Sequence, residues 1–296
     1  MLFNINLKLY VNANIMKAIV FFVFIRFSIA PSCFGQVHAV HIPEEKIEEI
    51  KFDGELTDWS WIPEDYFISG DNMKDNLNNS KSIHSDWECK IIVAWNDITN
   101  WIYIVAIVND NDFYVRPQSD PKTYYLNDNL EIAIGPDVHS GDYYSRRFEK
   151  CYNIIKYYVT PVTKEYNNTV NINAGPQWLI NDTSFVKWGY KVNTDKNGKS
   201  RIIYELGMAV WEKWSDDGIE ASKRLFLQSY QTIRLTLAFN DVDKYRNRRI
   251  AQWVTSTGSS KNWGRNISDI SVFVLDPPAE NQSSWERVYH LFRVCP

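Results

Sequence analysis

Short apolar runs separated by turn-forming residues constrain the fold of this chain more than any other feature of its sequence. Eight such runs follow residue 50, and clusters of Asn, Asp, Gly and Pro separate them. Many short strands with turn chemistry between them, and few helical stretches, are typical of antiparallel sandwiches. We therefore predict an all-β, jelly-roll-like antiparallel β-sandwich with strands at Cys89–Trp95, Trp101–Val108, Leu130–Ile134, Tyr152–Thr160, Phe185–Val192, Ile202–Val210, Ile233–Phe239 and Ile270–Leu275.

The stretch after Pro278 follows a different pattern. Apolar residues recur there at helical spacing, and Ser283 or Ser284 is placed to cap a helix. The residues that set this spacing are Trp285, Val288, Tyr289 and Phe292. We predict a short C-terminal helix that packs on the sandwich. Because no internal repeat or low-complexity linker is visible, residues 40–296 are expected to form one domain.

The N-terminal segment has the features of a targeting sequence. Lys17 precedes the apolar run Ala18–Ile25, Arg26 interrupts it, and the whole run is too short to span a bilayer. We predict a secretory signal within residues 1–39, cleaved between Gly35 and Ala39. A start at Met16, directly before Lys17, is an alternative to the start at Met1. The protein is then exported to the periplasm, the cell surface or the medium. An uncleaved anchor and a lipoprotein acylated at Cys33 remain alternatives.

Charge and cysteine content exclude some classes of function. A net charge of -4 provides no basic face for a nucleic-acid backbone. Neither a CxxC pair nor an HExxH motif occurs, so a zinc site has no support. After signal cleavage Cys89, Cys151 and Cys295 remain, and this odd number allows one Cys89–Cys151 bridge or three buried thiols.

The aromatic content is high for the size of the chain. Aromatic residues make up 15% of it, including 12 Trp and 17 Tyr. This exceeds what packing of one core requires, so we expect some rings to face solvent or a ligand.

Four segments, in this order, resemble the family 9 carbohydrate-binding modules. Together they extend over residues 50–275, nearly the whole mature chain. They are Ile50–Trp59 (IKFDGELTDW), Val93–Asp110 with its VAWND and WIYIVAIVND halves, Tyr125–Ile134 (YLNDNLEIAI), and the pair Tyr204–Val210 (YELGMAV) and Leu235–Asp243 (LTLAFNDVD).

The resemblance implies a binding site for a terminal sugar. In the family two aromatic side chains sandwich the sugar, and a carboxylate on a neighbouring strand receives its hydroxyls. The matching positions are Tyr125, where the family usually has Trp, Glu131 and Trp263. Arg249 and Asn262 are further candidates for hydroxyl contacts. For each of the five, ordinary packing or a solvated surface position is the alternative.

The strand pattern around Glu131 predicts the orientation of its side chain without reference to the family. Alternate residues of a strand point to opposite faces, so Leu130, Ile132 and Ile134 facing the core would turn Glu131 and Ala133 outward. A sugar needs flat rings for its C–H face and fixed polar groups for its hydroxyls. An outward Glu131 is therefore available to a ligand or to water alone.

A structural calcium ion is the only cofactor with support from the sequence. Family members carry calcium, which takes six to eight oxygen ligands, and acidic residues gather at Asp97, Asp110, Asp112 and Asp128. We predict Asp110 and Asp128 as ligands. The alternative is turn chemistry, because Asp stabilises tight turns through its own side chain.

We therefore predict non-catalytic binding of a mono- or oligosaccharide terminus in support of polysaccharide catabolism. The partner is a polysaccharide end, together with separate glycoside hydrolases. One alternative is a glycoside hydrolase, which needs two carboxylates about 5 to 10 Å apart with one raised pKa. The other is a structural or partner-binding sandwich without a sugar site.

Overall fold

Strands dominate the computed structural model of the chain, as the sequence pattern predicts. The structure describes residues 37–78, 87–116, 121–137, 153–161, 169–244, 248–255, 263–264 and 266–279. One short helix, α1 (Glu44–Ile47), occurs, and none of the helices in these ranges is long and apolar enough to cross a membrane. The strands are β1 Val37–His41, β2 Ile68–Ser69, β3 Lys74–Asp75, β4 Trp87–Asn96, β5 Trp101–Asp110, β6 Asn129–Pro136, β7 Ile155–Val159, β8 Val170–Ala174, β9 Val186–Thr194, β10 Ser200–Ala209, β11 Trp211–Lys213, β12 Lys223–Arg224, β13 Thr232–Asp243, β14 Arg248–Val254 and β15 Val272–Leu275.

The main sheet curls into two layers that share strand β1. The first layer runs β8-β7-β6-β13-β15, with β14 beside β13, and the second runs β4-β5-β10-β9. Residues Val37–Ala39 pair with β15, whereas Val40 and His41 pair with β4. Both pairings of β1 are parallel, and the other strand pairs are antiparallel. The predicted all-β sandwich is thus confirmed, with mixed pairing at the strand that joins its layers.

The core lies between the layers and contains most of the aromatic surplus. Trp87 on β4 stacks on Trp253 of β14 with ring centroids 5.3 Å apart, and Phe239 of β13 lies 5.8 Å from Trp87. None of the described tryptophans is exposed. The exposed aromatic side chains of the described part are Tyr125, Phe226 and Tyr230.

All eight predicted strands are present, with ends that shift by a few residues. Sequence reasoning missed β1, β8 and β14, together with the short strands β2, β3, β11 and β12. Arg249, for which a solvated surface position was the alternative, is the second residue of strand β14. The sandwich already includes Val37, three residues before the predicted domain start at residue 40.

Several predictions lie outside the described residues. These are the signal segment up to residue 36, the C-terminal helix, Cys151, Cys295 and Asn262. Cys89 is a free, buried thiol on β4. Burial raises the pKa of the Cys89 thiol. Such a thiol behaves as a small apolar group of the core.

The IKFDGELTDW segment has a structural role. Glu205 on β10 accepts a hydrogen bond from the Gly54 amide at 2.5 Å and one from Trp59 Nε1 at 2.7 Å. Burial raises the pKa of the Glu205 carboxyl. Gly54 has a φ of 77°, a backbone angle that residues other than glycine rarely adopt. Two of the resembling segments therefore meet to hold this loop on the outer face of the second layer.

Candidate functional site

Glu131 lies on the outer face of the first layer. Its neighbours Leu130 and Ile132 point into the core, so the pleat of β6 turns Glu131 outward, as predicted. Opposite it are Ala238 in β13 and Tyr158 in β7. The Glu131 side chain is nevertheless only 2% exposed. A carboxylate buried to this extent needs charge pairing and hydrogen bonds.

Four polar side chains meet these needs of Glu131. Lys156 Nζ lies 2.8 Å from Oε2. Asn240 Nδ2 donates to Oε1 at 2.7 Å, and Gln252 Nε2 donates to the same oxygen at 3.1 Å. Arg249 Nη1 lies 3.9 Å from Oε1 and donates to Asn240 Oδ1 at 2.7 Å. One carboxylate is thus held between two cations and two amides.

Each cation also contacts an aromatic ring. The guanidinium carbon of Arg249 lies 5.7 Å from the ring centroid of Tyr125. Lys156 Nζ lies 4.5 Å from the ring centroid of Trp263. Both distances are within the range of cation–π attraction. The structure therefore brings four of the five predicted contact residues to one face, in the order Tyr125, Arg249, Glu131 and Trp263, with Lys156 between the last two.

The two aromatic rings differ in accessibility. Tyr125 is 39% exposed, whereas Trp263 is 2% exposed. Trp263 packs with Ala133 and Ala238, whose small side chains let the indole approach the sheet, and the Lys156 ammonium lies over its ring. Tyr125 offers an open face to a ligand. Trp263 does not offer the open face that the resemblance implies.

The neighbours of Tyr125 fix its position. It belongs to a 3₁₀ segment, Pro121–Leu126, directly before β6. The preceding Tyr124 stacks on Tyr158 with an interplanar angle of 12°, and its hydroxyl accepts a hydrogen bond from Asn173 at 3.2 Å. Asn129 Nδ2 donates to the Tyr124 carbonyl at 2.8 Å. The Tyr125 ring is therefore presented from a well-anchored segment.

Sequence reasoning missed Lys156, Asn240 and Gln252. Each is a polar residue that directly follows a buried apolar residue of a strand, at a position where the pleat turns it away from the core. The alternation of inward and outward positions along each strand could have identified these residues as outward-facing. The convergence of the three on Glu131 depends on strand order, which residue spacing does not specify.

A second cluster consists of three buried carboxylates. Oxygen atoms of Asp110, Asp128 and Asp241 all lie within 4.8 Å of one another. Asp128 accepts hydrogen bonds from the amides of Tyr114 and Val242. Burial, followed by the charge of Asp110 and then that of Asp241, raises the pKa of Asp128. The predicted pair Asp110 and Asp128 does meet, and Asp241 is an additional member.

This cluster fits a hard divalent cation. It presents only oxygen ligands, and gathers three carboxylates whose mutual repulsion a bound cation would relieve. Neither Asp97 nor Asp112 contributes a carboxylate to this cluster, although the Asp112 amide donates to Asp110 Oδ1 at 2.8 Å. Asp97 bonds to His41 at 3.0 Å, a contact that lowers the pKa of Asp97. Asp112 accepts a hydrogen bond from the Lys244 amide at 3.2 Å.

The fold is that of the family 9 carbohydrate-binding modules. One such module, from Caldicellulosiruptor kristjanssonii in complex with cellotriose, is similar at a TM-score of 0.53 and 18% identity; the match covers 83% of this chain and 96% of that chain. A family 9 module from the same organism in complex with glucose is similar at a TM-score of 0.53 and 16% identity, covering 84% and 100%. No protein-family model and no curated protein matches the sequence. At these identities the similarity shows the fold alone. The fold agrees with the resemblance of the sequence motifs to family 9 modules.

Proposed function

We propose that this protein binds the terminal residue of a carbohydrate chain on the outer face of its first layer. The observation that carries the proposal is the exposed ring of Tyr125 beside the Glu131 cluster. A flat apolar ring next to ordered polar groups is the combination that a pyranose requires, because its C–H face stacks and its edge forms hydrogen bonds. The fold shared with sugar-binding modules adds support.

The contacts can be assigned to individual atoms. Tyr125 stacks on the sugar ring, and Arg249, whose side chain is 23% exposed, donates to a hydroxyl. Among the described residues, Glu131 Oε2 receives only Lys156, whereas Oε1 receives both amides. Since a carboxylate oxygen has two lone pairs, Oε2 retains one acceptor site for a hydroxyl. Binding is reversible and no bond is broken.

Trp263 acts in this proposal through Lys156. Its ring supports the ammonium group, which in turn orients the Glu131 carboxylate. Stacking of a sugar on Trp263 itself, as the family arrangement implies, would require Lys156 to move aside. A site with one open ring favours binding from a single side. Asn262, next to Trp263 in sequence, remains a proposed contact.

The proposal includes a calcium ion held by Asp110, Asp128 and Asp241. Asp128 and Asn129 are consecutive, and so are Asn240 and Asp241. Since Asn240 Nδ2 donates to Asn129 Oδ1 at 2.7 Å, the carboxylate cluster and the Glu131 cluster share two strands. A bound ion would hold the ends of β6 and β13 together beneath the sugar site. Its role is structural.

Export and a part in polysaccharide catabolism complete the proposal. The signal-like segment within residues 1–39 supports export, and binding of chain ends supports recruitment of separate hydrolases to their substrate. Mass spectrometry of the secreted protein tests the first point. A mature N-terminus between Gln36 and Ala39 is expected, and an intact Met1 or Met16 in the exported protein would contradict it.

Calorimetric titration with oligosaccharides that have free or reduced ends tests the binding site. The wild type is expected to bind, and Tyr125→Ala to bind at least about tenfold more weakly, since loss of about 1.4 kcal/mol of stacking corresponds to that factor. Phe226→Ala, which removes an exposed ring near the β4–β5 turn, is the matched control and should retain full affinity.

Three outcomes oppose the proposal. Equal binding by wild type and Tyr125→Ala would remove the site from this face. Release of reducing ends in the same samples would instead favour a glycoside hydrolase. Absence of binding by the wild type to every member of the panel would favour the alternative of a sandwich without a sugar site.

A further inference from the structure

A cleft of about 610 Å³ lies on the outer face of the second layer, away from the Glu131 cluster. Strands β4, β5 and β10 form its floor, and the segment Ser69–Asp71 forms one wall. Its volume is within the range of about 300–1,000 Å³ that is usual for small-molecule sites. The carbohydrate site proposed above makes no use of this cleft.

A row of polar side chains crosses the floor of the cleft. Glu88, Asn109 and Arg201 are opposite one another on neighbouring strands. Asn109 Nδ2 donates to Glu88 Oε2 at 3.3 Å. In the adjacent row Lys90 and Ile107 are opposite each other. The strand ladder thus fixes the spacing of these groups.

The wall is also built from paired backbone. Ser69 is opposite Lys90 in the β2–β4 ladder. The Ser69 amide and hydroxyl both donate to Asn72 Oδ1, at 3.3 and 3.2 Å, which closes the turn that carries Asp71. The floor and the wall are therefore joined by one ladder, and the cleft is preformed.

The charged side chains of the cleft sum to zero net charge, and some of them form no hydrogen bond or ion pair with the described residues. Asp71 and Glu88 carry two negative charges, and Lys90 and Arg201 carry two positive charges. Within the described part of the chain, neither the Asp71 carboxylate nor the Arg201 guanidinium forms a hydrogen bond or an ion pair. Exposed acceptors and donors therefore lie in one cleft with no net charge.

Exposed hydrogen-bond donors and acceptors without net charge favour a neutral ligand that both donates and accepts hydrogen bonds. A net charge of zero attracts neither anions nor cations. A hydroxyl group can donate to Asp71 or Glu88 while it accepts from Arg201 or Asn109. No exposed aromatic ring of the described residues lines the cleft, since Trp87 turns its ring into the core. The ligand is therefore held by its hydroxyl edges rather than by stacking.

We propose that this cleft is a second carbohydrate site, for a neutral mono- or disaccharide segment of a glycan. It lies on the opposite layer from Tyr125 and does not depend on the first site. Two sites on opposite outer faces enable one molecule to contact two chains, or two parts of one chain. Such bivalency raises apparent affinity for a polymer without any new contact.

Titration by nuclear magnetic resonance with cellotriose and other neutral trisaccharides tests this inference. Saturable shifts of the Asn109 side-chain amide signals are expected, together with a stoichiometry of two ligands per chain. In Arg201→Ala the second event should weaken at least about tenfold, because a hydrogen bond to a charged group is lost. Lys199→Ala, an exposed cation outside the cleft, is the matched control and should leave both events unchanged.

The variants separate this inference from the function proposed above. Loss of one event in Tyr125→Ala and of the other in Arg201→Ala supports both sites. A stoichiometry of one that only Tyr125→Ala removes would overturn the second site and leave the first. A stoichiometry of one that only Arg201→Ala removes would do the reverse. Failure of every trisaccharide to shift the Asn109 signals also overturns the second site.

Discussion

Lys156 Nζ lies 2.8 Å from Glu131 Oε2, and these side chains are 7% and 2% exposed. Removal of Lys156 leaves Glu131 with the more distant Arg249 as its remaining cation, and loss of one partner of a buried pair costs about 3–5 kcal/mol. We expect Lys156→Met to lower the free energy of unfolding by an amount in this range, although Met preserves most of the apolar stem. Urea denaturation followed by tryptophan fluorescence measures the change.

An exposed pair provides the control for this prediction. Lys223 Nζ lies 2.7 Å from Glu212, but its side chain is 68% exposed. Solvent screens such a pair, so Lys223→Met should cost at most about 1 kcal/mol. Equal effects of Lys156→Met and Lys223→Met would contradict the view that Lys156 compensates a buried charge.

The difference in exposure between Tyr125 and Trp263 predicts a separation of binding from stability. Trp263→Ala removes a buried ring and is expected to lower the free energy of unfolding by about 3–5 kcal/mol. Tyr125→Ala removes a ring that is 39% exposed and should cost about 1 kcal/mol or less. Its main effect should be weaker sugar binding. Denaturation and calorimetry on both variants give the two measurements.

A reversed pattern would change the assignment of the binding surface. If Trp263→Ala folded with near wild-type stability and lost sugar affinity, the Trp263 ring would be a direct stacking surface. Lys156 would then have to leave that ring when the sugar binds. In that case Lys156→Met, which also uncovers the ring, should strengthen binding.

The carboxylate cluster predicts opposite pH dependences with and without calcium. Burial and the neighbouring carboxylates raise the pKa of Asp128 above its ordinary value of 3.8. The folded state therefore binds the Asp128 proton more tightly than the unfolded state does. The stabilisation that this proton provides is fully present below pH 3.8, the ordinary pKa of the group. It is lost as pH rises towards the raised pKa. Calcium requires ionised carboxylates, so its stabilising effect should instead grow over the same interval.

Thermal unfolding with EDTA or with millimolar Ca²⁺, at several pH values, measures these dependences. Asp241→Asn should largely abolish the rise in Tm caused by Ca²⁺, because it removes one of three carboxylates. Asp97→Asn, at the exposed β4–β5 turn, should leave that rise intact. An unchanged Tm for the wild type at saturating Ca²⁺ would exclude the site.

Much of the fold could be predicted because it depends on local pattern. The alternation around Glu131 predicted its outward orientation, and the apolar runs located eight strands. Strand β14 was missed because its first residues, Arg248 and Arg249, continue a basic stretch that resembles a solvated loop. In the structure Asn240 and Glu131 compensate Arg249 from neighbouring strands. No pattern within residues 246–250 encodes those partners.

The candidate site was predictable only in part, because some of its contacts join residues that are far apart in the sequence. Family motifs indicated Tyr125, Glu131 and Trp263, but Lys156, which lies over the Trp263 ring, is more than 100 positions earlier in the chain. Asp241 was visible in the LTLAFNDVD segment, yet its meeting with Asp110 and Asp128 follows from the approach of three distant strand ends. Contacts set by strand order were therefore the part that sequence reasoning missed.

Two glycines with similar backbone angles provide a last prediction, on the loop that Glu205 holds. Gly54 has a φ of 77° and Gly198 a φ of 87°. A Cβ at Gly54 would lie 2.4 Å from Lys191 Cβ, whereas at Gly198 nothing lies within 4 Å. Gly198→Ala therefore measures the backbone cost alone, about 1 kcal/mol. Gly54→Ala should cost clearly more, because β9 must also shift and the hydrogen bond to Glu205 is strained. Equal free energies of unfolding for the two variants would show that the loop can move away from β9 without loss, and the clamp by Glu205 would then contribute little to stability.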